Sequence, residues 1–175
     1  AWKITRLGIA RTFQNIRLFS EMTVLENVMI GRHFQGIRPS LKRFRGIAAA
    51  AELISLRKEE KAIYESSMKW LEFFHLECEA DNLAKNLPYG KQRHLEIARA
   101  LATEPQLLFL DEPAAGMNAQ ETAELIETIR TIRDSGVTVV LIEHDMKLVM
   151  NICDRITVLN YGRMIAEGTP SEIQN

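Results

Sequence analysis

The C-terminal part of the chain alternates short apolar runs with one amphipathic segment. Residues 107–110 and 137–142 are dominated by Leu, Val, Ile and Phe, which is typical of strands buried on both faces of a parallel sheet. Between them, residues 119–134 repeat apolar side chains on one helical face, and Gly136 follows as a helix stop. A strand, a helix and a second strand in this order predict a βαβ unit, hence a parallel sheet with a right-handed crossover.

The middle of the chain has a different pattern. Residues 24–103 show helical periodicity and almost no strand pattern, most clearly over 59–75 and 92–103. After the βαβ unit, residues 146–153 predict a further helix, and residues 156–167 predict a hairpin that closes the edge of the sheet. The expected fold is therefore α/β, with a helical subdomain followed by the C-terminal part of a mostly parallel sheet.

Composition and charge narrow the class of protein. The 175 residues carry 22 Lys+Arg and 23 Asp+Glu, which argues against a nucleic-acid binder with a basic surface. No apolar run approaches the length of about 20 residues that a membrane-spanning helix needs. Cys78 and Cys153 lie outside any CxxC spacing and are expected to be reduced thiols of a cytosolic protein. An excess of Lys and Arg between Arg32 and Lys61 predicts a solvated face or, as the alternative, a surface that meets a partner.

Two carboxylates and a histidine follow the two predicted strands. Asp111 and Glu112 come directly after residues 107–110, and His144 ends the next strand. Because the carboxyl ends of parallel strands meet at one edge of a sheet, these side chains are expected to lie together. One carboxylate can hold Mg²⁺ while the other polarises a water molecule, and the histidine can bond a phosphate oxygen. For each residue alone, an ordinary loop or capping role is the alternative.

A glycine-containing turn and a glutamine complete the candidate residues. Residues 87–92 lead into the helix predicted for 92–103, and such a turn presents free N–H groups and a positive dipole end to an anion. The alternative is that Pro88 and Gly90 only shape a loop and bind no ligand. Gln14, which follows residues 9–12, can align a water molecule or complete a metal coordination shell, although it carries no signal by itself.

Together these segments resemble the ATP-binding subunits of ABC transporters over almost the whole chain. The resemblance rests on residues 107–113 as the Walker B strand with its catalytic glutamate, 87–101 as the signature motif and its helix, 115–118 as the D-loop, His144 as the switch histidine and Gln14 as the Q-loop glutamine. Details of residues 87–90, 111–118 and 142–150 are similar to one subfamily, the high-affinity branched-chain amino acid importers. Within it, the longer of the two paired ATPases also has a long basic helical insert.

The resemblance implies cofactors, site residues and partners. It implies ATP and Mg²⁺, with Asp111 and Gln14 at the metal and Glu112, His144 and Gln14 in catalysis. The nucleotide-binding residues that it implies are Leu87, Pro88, Tyr89, Gly90, Lys91, Gln92 and Asn118. It further implies a head-to-tail dimer with a paired ATP-binding subunit, bound peripherally at the cytoplasmic face of the inner membrane. The other implied partners are transmembrane permease subunits and, indirectly, a periplasmic substrate-binding protein, with no nucleic-acid partner.

The sequence departs from the family pattern in three ways. Pro88 replaces the small residue that usually follows the signature leucine, and Lys91 stands where glutamine is usual. No Gly-x-x-x-x-Gly-Lys-Ser/Thr phosphate-binding loop (P-loop) occurs among the 9 glycines. The chain is therefore expected to lack the N-terminal region that carries the P-loop and to be inactive as it stands. The edges and apolar faces of residues 107–110 and 139–142 are expected to be uncovered.

The resemblance also divides the chain into expected units of an incomplete P-loop NTPase-like ABC ATPase fold. Residues 1–23 are the Q-loop region at the end of a truncated N-terminal lobe, 24–103 the helical subdomain, and 104–175 an α/β lobe. The expected function is the ATP-hydrolysing subunit of an importer of branched-chain amino acids. The alternatives are a non-transport ABC protein acting on DNA or ribosomes and an inactive truncated remnant.

Overall fold

A three-stranded parallel sheet forms the centre of the α/β part. The structure is a computed structural model that describes residues 2–36 and 48–174. Strands β1 (Ile9–Arg11), β2 (Leu107–Asp111) and β3 (Thr138–Ile142) lie in the order β1-β2-β3, and both pairings are parallel. The predicted βαβ unit is confirmed, because β2 and β3 are connected through one helix and pair in parallel.

Helices make up most of the remaining described residues. They are α1 (Trp2–Thr5), α2 (Val24–Gly36), α3 (Ala48–Phe73), α4 (Tyr89–Leu101), α5 (Ala119–Asp134), α6 (Met146–Ile152) and α7 (Pro170–Ile173), with 3₁₀ turns at Glu77–Glu79 and Ala84–Asn86. The helical middle predicted for residues 24–103 is thus confirmed wherever the structure describes it. Residues 37–47 of the basic insert lie outside the described residues, and the subdivision at residues 23 and 103 stays a prediction. None of the described helices combines the length and the hydropathy that crossing a membrane requires.

Local signals explain why α5 has the bounds that the sequence predicts. Asn118 accepts hydrogen bonds from the N–H groups of Gln120 and Glu121, and the Glu121 carboxylate accepts one from the Asn118 N–H, which completes a capping box. The helix ends just before Gly136, which has a φ of +96°. Its apolar face packs into the core beside Leu108.

The expectation that β2 and β3 are buried on both faces is wrong. The register places Leu108, Leu110 and their neighbours on a face that α5 covers, and both leucines are fully buried. On the opposite face, Val140 and Ile142 of β3 are 37% and 46% exposed. Among the described residues, helices pack against one face of this sheet. The β3 side chains on the other face, including Val140 and Ile142, therefore remain in contact with solvent.

The edges of β2 are paired, against the expectation that they lie uncovered. Strand β1, which the sequence analysis does not predict, pairs with one edge, and β3 pairs with the other. A three-residue strand is too short for its alternation to be read, and its partner lies about a hundred positions away. In the part of the chain that is described, the unpaired edges of this sheet are therefore the outer edges of β1 and β3.

The C-terminal hairpin forms as predicted but does not close the edge of the sheet. Strands β4 (Ile156–Asn160) and β5 (Arg163–Gly168) pair antiparallel as a separate two-stranded sheet. The turn between them contains Tyr161 and Gly162, both with positive φ, which matches the twist of a tight hairpin. The two strands pair with each other, so formation of the hairpin requires no pairing with β3.

Helix α4 packs closely against α2 inside the helical middle. Gly31 of α2 is buried, and a Cβ atom at this position would overlap the carbonyl oxygen of Arg99 in α4. Helix α4 also begins earlier than predicted, because Tyr89–Gln92 form its first turn instead of a preceding loop. Pro88 lies at the N-cap with a φ of −55°, which suits a residue that precedes the first helical turn.

Candidate functional site

Two carboxylates lie at the carboxyl end of β2, as predicted. Asp111 is the last residue of the strand, and one of its oxygens accepts a hydrogen bond from the Arg11 guanidinium of β1 at 2.7 Å. Glu112 follows, and its N–H donates to the carbonyl oxygen of Ile142 at 2.9 Å, which extends the ladder with β3. The Arg11 side chain of β1 and the backbone of β3 therefore hold Asp111 and Glu112 in position.

Glu112 has a left-handed backbone. Its φ is +44°, a conformation that side-chain-bearing residues adopt at a cost of about 1–3 kcal/mol. Such strain is concentrated at functional sites, where the surrounding structure holds a side chain in a required direction. Here the turn directs the Glu112 side chain toward Gln14 and His144.

Gln14 and His144 both approach the Glu112 carboxylate. The Gln14 amide nitrogen donates to Oε2 of Glu112 at 2.6 Å. Nδ1 of His144 lies 3.7 Å from Oε1 of the same carboxylate, and its side chain is 79% exposed. The structure thus brings together Gln14, Asp111, Glu112 and His144, which come from three different strand ends, as the resemblance implied. The catalytic and metal-binding roles assigned to them stay predictions.

Glu143 contributes to this site and was missed by the sequence analysis. Its side chain is only 2% exposed, and its two oxygens accept hydrogen bonds from the N–H groups of Ala114 and His144, each at 3.2 Å. It therefore ties the loop that follows Glu112 to the end of β3. The sequence signal was its position beside His144, but a charged residue in that position is more often a solvated one.

The turn predicted to bind phosphate opens helix α4. The N-cap residue Pro88 makes no side-chain hydrogen bond to the N–H groups of the first turn. The Gln92 amide bonds back to the Leu87 carbonyl oxygen at 2.8 Å and stabilises the turn. Lys91 pairs with Glu79 of a neighbouring 3₁₀ turn, so its ammonium group is engaged inside the helical middle.

Three further candidates, Tyr89, Gly90 and Asn118, lie where α4 approaches the start of α5. A Cβ atom on Gly90 would lie 2.6 Å from a carboxylate oxygen of Glu121, and a Cβ atom on Gly116 would lie 3.3 Å from the Tyr89 ring. Asn118 uses its side-chain oxygen to cap α5. The glycines permit this close packing, so Tyr89, Gly90 and Asn118 have structural roles beside the nucleotide-binding roles that were predicted.

Arg93 connects α4 to the segment that carries Gln14. The side chains of Arg93 and Glu96 are 0% and 1% exposed, and they form an ion pair at 2.8 Å. The Arg93 guanidinium also donates to the carbonyl oxygens of Phe13 and Gln14, each at 2.7 Å. Nothing in the local pattern of α4 predicted a fully buried arginine.

A cavity of about 910 Å³ lies between α4, the Gln14 segment and the less covered face of the sheet. Ile9, Phe13, Phe19 and Phe109 contribute to its largely apolar lining. Arg11, Arg17 and Arg99 also line the cavity, but none of residues 87–92, where the sequence predicts an anion site, contributes to it. The polar candidates lie instead at the strand ends and at the first turn of α4.

The sequence matches a known protein family over most of its length. Residues 1–115 match a family model described as ABC transporter. The chain belongs to the ABC transporter family. The resemblance noted from the sequence is thereby confirmed, and the α/β fold agrees with it.

Individual ABC relatives cover nearly the whole chain. The high-affinity branched-chain amino acid transport ATP-binding protein LivG of Escherichia coli K12 is 47% identical over 174 residues, which is 99% of this chain and 66% of LivG. BraF of Pseudomonas aeruginosa, of the same description, is 46% identical with the same coverage. The crystal structure of the ADP conformation of MJ1267, an ATP-binding cassette of an ABC transporter, aligns with a TM-score of 0.77 at 31% identity, covering 99% of this chain and 66% of MJ1267. The chain thus spans 66% of the length of these relatives.

Proposed function

We propose that this chain is part of the ATP-binding subunit of an ABC importer and that the subunit hydrolyses ATP to energise uptake of branched-chain amino acids. The observation that carries the proposal is the meeting of Gln14 and His144 at the strained Glu112 carboxylate. The descriptions of LivG and BraF support the substrate class. ATP is the nucleotide proposed for the subunit.

In this proposal Glu112 orients or activates the water that attacks the terminal phosphate. The hydrogen bond from Gln14 holds one carboxylate oxygen, and the left-handed backbone holds the other end of the side chain. His144 is exposed on the same edge, where its imidazole can donate to a phosphate oxygen. Glu143 acts on both, because it bonds the loop after Glu112 and the N–H of His144.

The donor set at the end of β2 fits Mg²⁺. Among the described residues no three His, Cys, Asp or Glu side chains converge as a metal-binding group. The Asp111 carboxylate would supply the kind of oxygen ligand that Mg²⁺ takes, since this ion is usually bound through one or two carboxylates and otherwise by water and phosphate oxygens. We assign Asp111 and Gln14 to the ion, Asp111 through water. When bound, the ion would neutralise charge on the phosphates.

The first turn of α4 is proposed to bind the nucleotide held by a second ATP-binding subunit in a head-to-tail dimer. The residues involved would be Leu87, Pro88, Tyr89, Gly90, Lys91, Gln92 and, from the start of α5, Asn118. The uncapped N–H groups of the turn support this role, since they can donate to phosphate oxygens. Because Lys91 already pairs with Glu79, backbone groups rather than this cation would supply most of the contact.

The proposed assembly contains transmembrane permease subunits, with the ATP-binding subunits bound peripherally at the cytoplasmic face of the cell membrane. A periplasmic substrate-binding protein would deliver the amino acid to the permease. The names of the relatives support association with a transport system. Closure of the dimer on ATP and its opening after hydrolysis would shift the permease between its two states.

A chimera tests the proposal directly. Residues 1–175 would replace the matching segment of Escherichia coli LivG, and leucine uptake and ATP hydrolysis would be measured in the assembled transporter. We expect the chimera to support both activities. Glu112→Gln should lower the ATPase rate by about 10²–10⁴-fold while nucleotide binding persists, because only the activation of water is removed.

The matched control is Glu104→Gln. Glu104 is also a glutamate with left-handed backbone, at a φ of +50°, and it pairs with Arg32 away from the site. Its ATPase rate should stay close to that of the unsubstituted chimera. Near-normal turnover in the Glu112→Gln chimera would refute the role of Glu112, and a chimera that neither binds nor hydrolyses ATP would refute the proposed function.

A further inference from the structure

Helix α4 contains a fully buried pair of opposite charges, Arg93 and Glu96. Their guanidinium and carboxylate groups are 2.8 Å apart, and water reaches neither side chain to any extent. Withdrawing both charges from water is costly, and an apolar pair of similar volume is often as stable or more stable. Nε of Arg93 is in addition buried without a hydrogen-bond partner among the described residues. Stability therefore does not account well for these residue types.

Both groups bind the chain segment between β1 and α2. Arg93 donates to the carbonyl oxygens of Phe13 and Gln14, each at 2.7 Å, and Glu96 accepts from the N–H of Arg17 at 3.1 Å. A guanidinium is planar and presents its donors in a fixed fork, so serving these two carbonyls and a carboxylate together determines their relative positions. The backbone from Phe13 to Arg17 is thereby attached to α4 at both ends.

The side chain of Gln14 bonds a different element from the one that its backbone bonds. Its amide donates to Glu112 beyond the end of β2 at 2.6 Å, while its backbone carbonyl is held by Arg93 of α4. Gln14 therefore bridges two elements, the helix that begins at Tyr89 and the strand end that carries the carboxylates. A displacement of α4 would move the Gln14 backbone and change the direction of its amide at Glu112.

We propose that Arg93, together with Glu96, is a positioning residue that makes the Gln14 amide follow the movement of α4. The consequence for catalysis rests on the function proposed above. The turn that opens α4 would contact the nucleotide of the partner subunit, and Gln14 would act in the site of its own subunit. The buried pair would thus let occupancy at one nucleotide site set the geometry of Glu112 at the other.

The structural part of the proposal can be tested by amide hydrogen exchange in the 175-residue chain. The test variant is Arg93→Met with Glu96→Gln, which removes both charges while roughly keeping volume. We expect the Arg17 backbone amide and the Gln14 side-chain amide to exchange about tenfold faster or more, since their partners are lost or released. The amides of Leu108 and Leu110 in β2 should keep their protection.

A surface pair provides a matched control. Arg130 also bonds a carboxylate three residues earlier, Glu127 at 2.6 Å, and a distant carbonyl oxygen, that of Asn151 at 2.8 Å. Arg130→Met with Glu127→Gln should leave the exchange of the Arg17 and Gln14 amides unchanged. Unaltered exchange in the Arg93 variant would overturn the proposal. Equal loss of protection throughout β2 would also overturn it, because the pair would then be purely structural.

The catalytic part is tested in the LivG chimera by a double-mutant cycle. We expect Arg93→Met with Glu96→Gln to lower kcat about tenfold or more with little change in the KM for ATP, and Arg93→Lys, which keeps a cation, to recover part of the loss. In a Gln14→Ala background the same double substitution should lower kcat little further, since Arg93 acts through Gln14. Fully additive losses would overturn the proposal. A chimera without ATPase activity would count against the proposed function alone, and the exchange result would still decide the positioning role.

Discussion

The stability of the chain should respond differently to the same substitution at two glycines of the helical middle. Gly31 is buried where α2 meets α4, and the Cβ atom of Gly31→Ala would overlap the backbone carbonyl oxygen of Arg99 while lying 3.2 Å from the Ala102 Cβ atom. Backbone atoms of a packed helix cannot rotate away, so α2 and α4 must separate. Gly90→Ala places its Cβ atom 2.6 Å from a carboxylate oxygen of Glu121, which is the end of a flexible side chain.

The expected magnitudes follow from these neighbours. Overpacking a core costs about 1–3 kcal/mol, and an overlap with a backbone atom places Gly31→Ala in the upper part of that range, at about 2–3 kcal/mol. Replacing a helical glycine by alanine returns about 1 kcal/mol, so the free energy of unfolding should fall by about 1–2 kcal/mol. For Gly90→Ala, Glu121 can rotate at the cost of one exposed hydrogen bond of about 1 kcal/mol, which the helix propensity of alanine offsets. Its stability should therefore stay close to that of the unsubstituted chain.

Equilibrium unfolding in urea, followed by circular dichroism, measures both effects on the 175-residue chain. With a typical slope of about 2 kcal/mol per molar urea, Gly31→Ala should lower the midpoint by about 0.5–1 M. Equal midpoints for the two variants, or a larger loss of stability in Gly90→Ala, would refute the packing argument.

Three further predictions concern the turn, a buried histidine and the chain itself. Pro88→Ser should maintain or raise ATP-dependent dimerisation of the chimera, because a serine restores an N–H and a hydroxyl group to the turn. Light scattering measures the dimerisation, and a marked fall would contradict the proposed binding of phosphate by this turn. Burial lowers the pKa of the His94 imidazole from its ordinary value of 6.5. As pH falls, the unfolded chain therefore takes up the proton before the folded chain does, and the free energy of unfolding should fall below about pH 6.5. His94→Gln should weaken this pH dependence, as measured by urea unfolding. The 175-residue chain, which has no P-loop sequence, should bind no Mg·ATP in isothermal titration, and a micromolar Kd would contradict this.

Local patterns predicted most of the elements and several residues of the site. The bounds of α5 match the predicted residues 119–134, because its apolar face and the glycine that follows it can both be read from the local sequence. The meeting of Glu112 and His144 was predicted as well, since parallel pairing of two strands brings their carboxyl ends to one edge. Both inferences need only short stretches of sequence and one rule of sheet geometry.

Long-range packing decided the remainder. Whether Val140 and Ile142 are covered depends on which elements reach that face of the sheet, and the pattern of β3 itself is the same in either case. The hairpin of β4 and β5 shows the same limit, because its turn chemistry specifies the pairing within it and nothing about where it packs.

Arg93 shows why the tertiary structure was needed for the site. By itself the sequence determined a helix that begins after Pro88 and carries an arginine and a glutamate three positions apart, which usually predicts a solvated pair. The carbonyl groups that make burial of the Arg93 charge possible belong to residues 80 and 79 positions away, and only folding brings them within 2.7 Å. Burial of a charge depends on partners that satisfy it, and the sequence around the charge does not contain them.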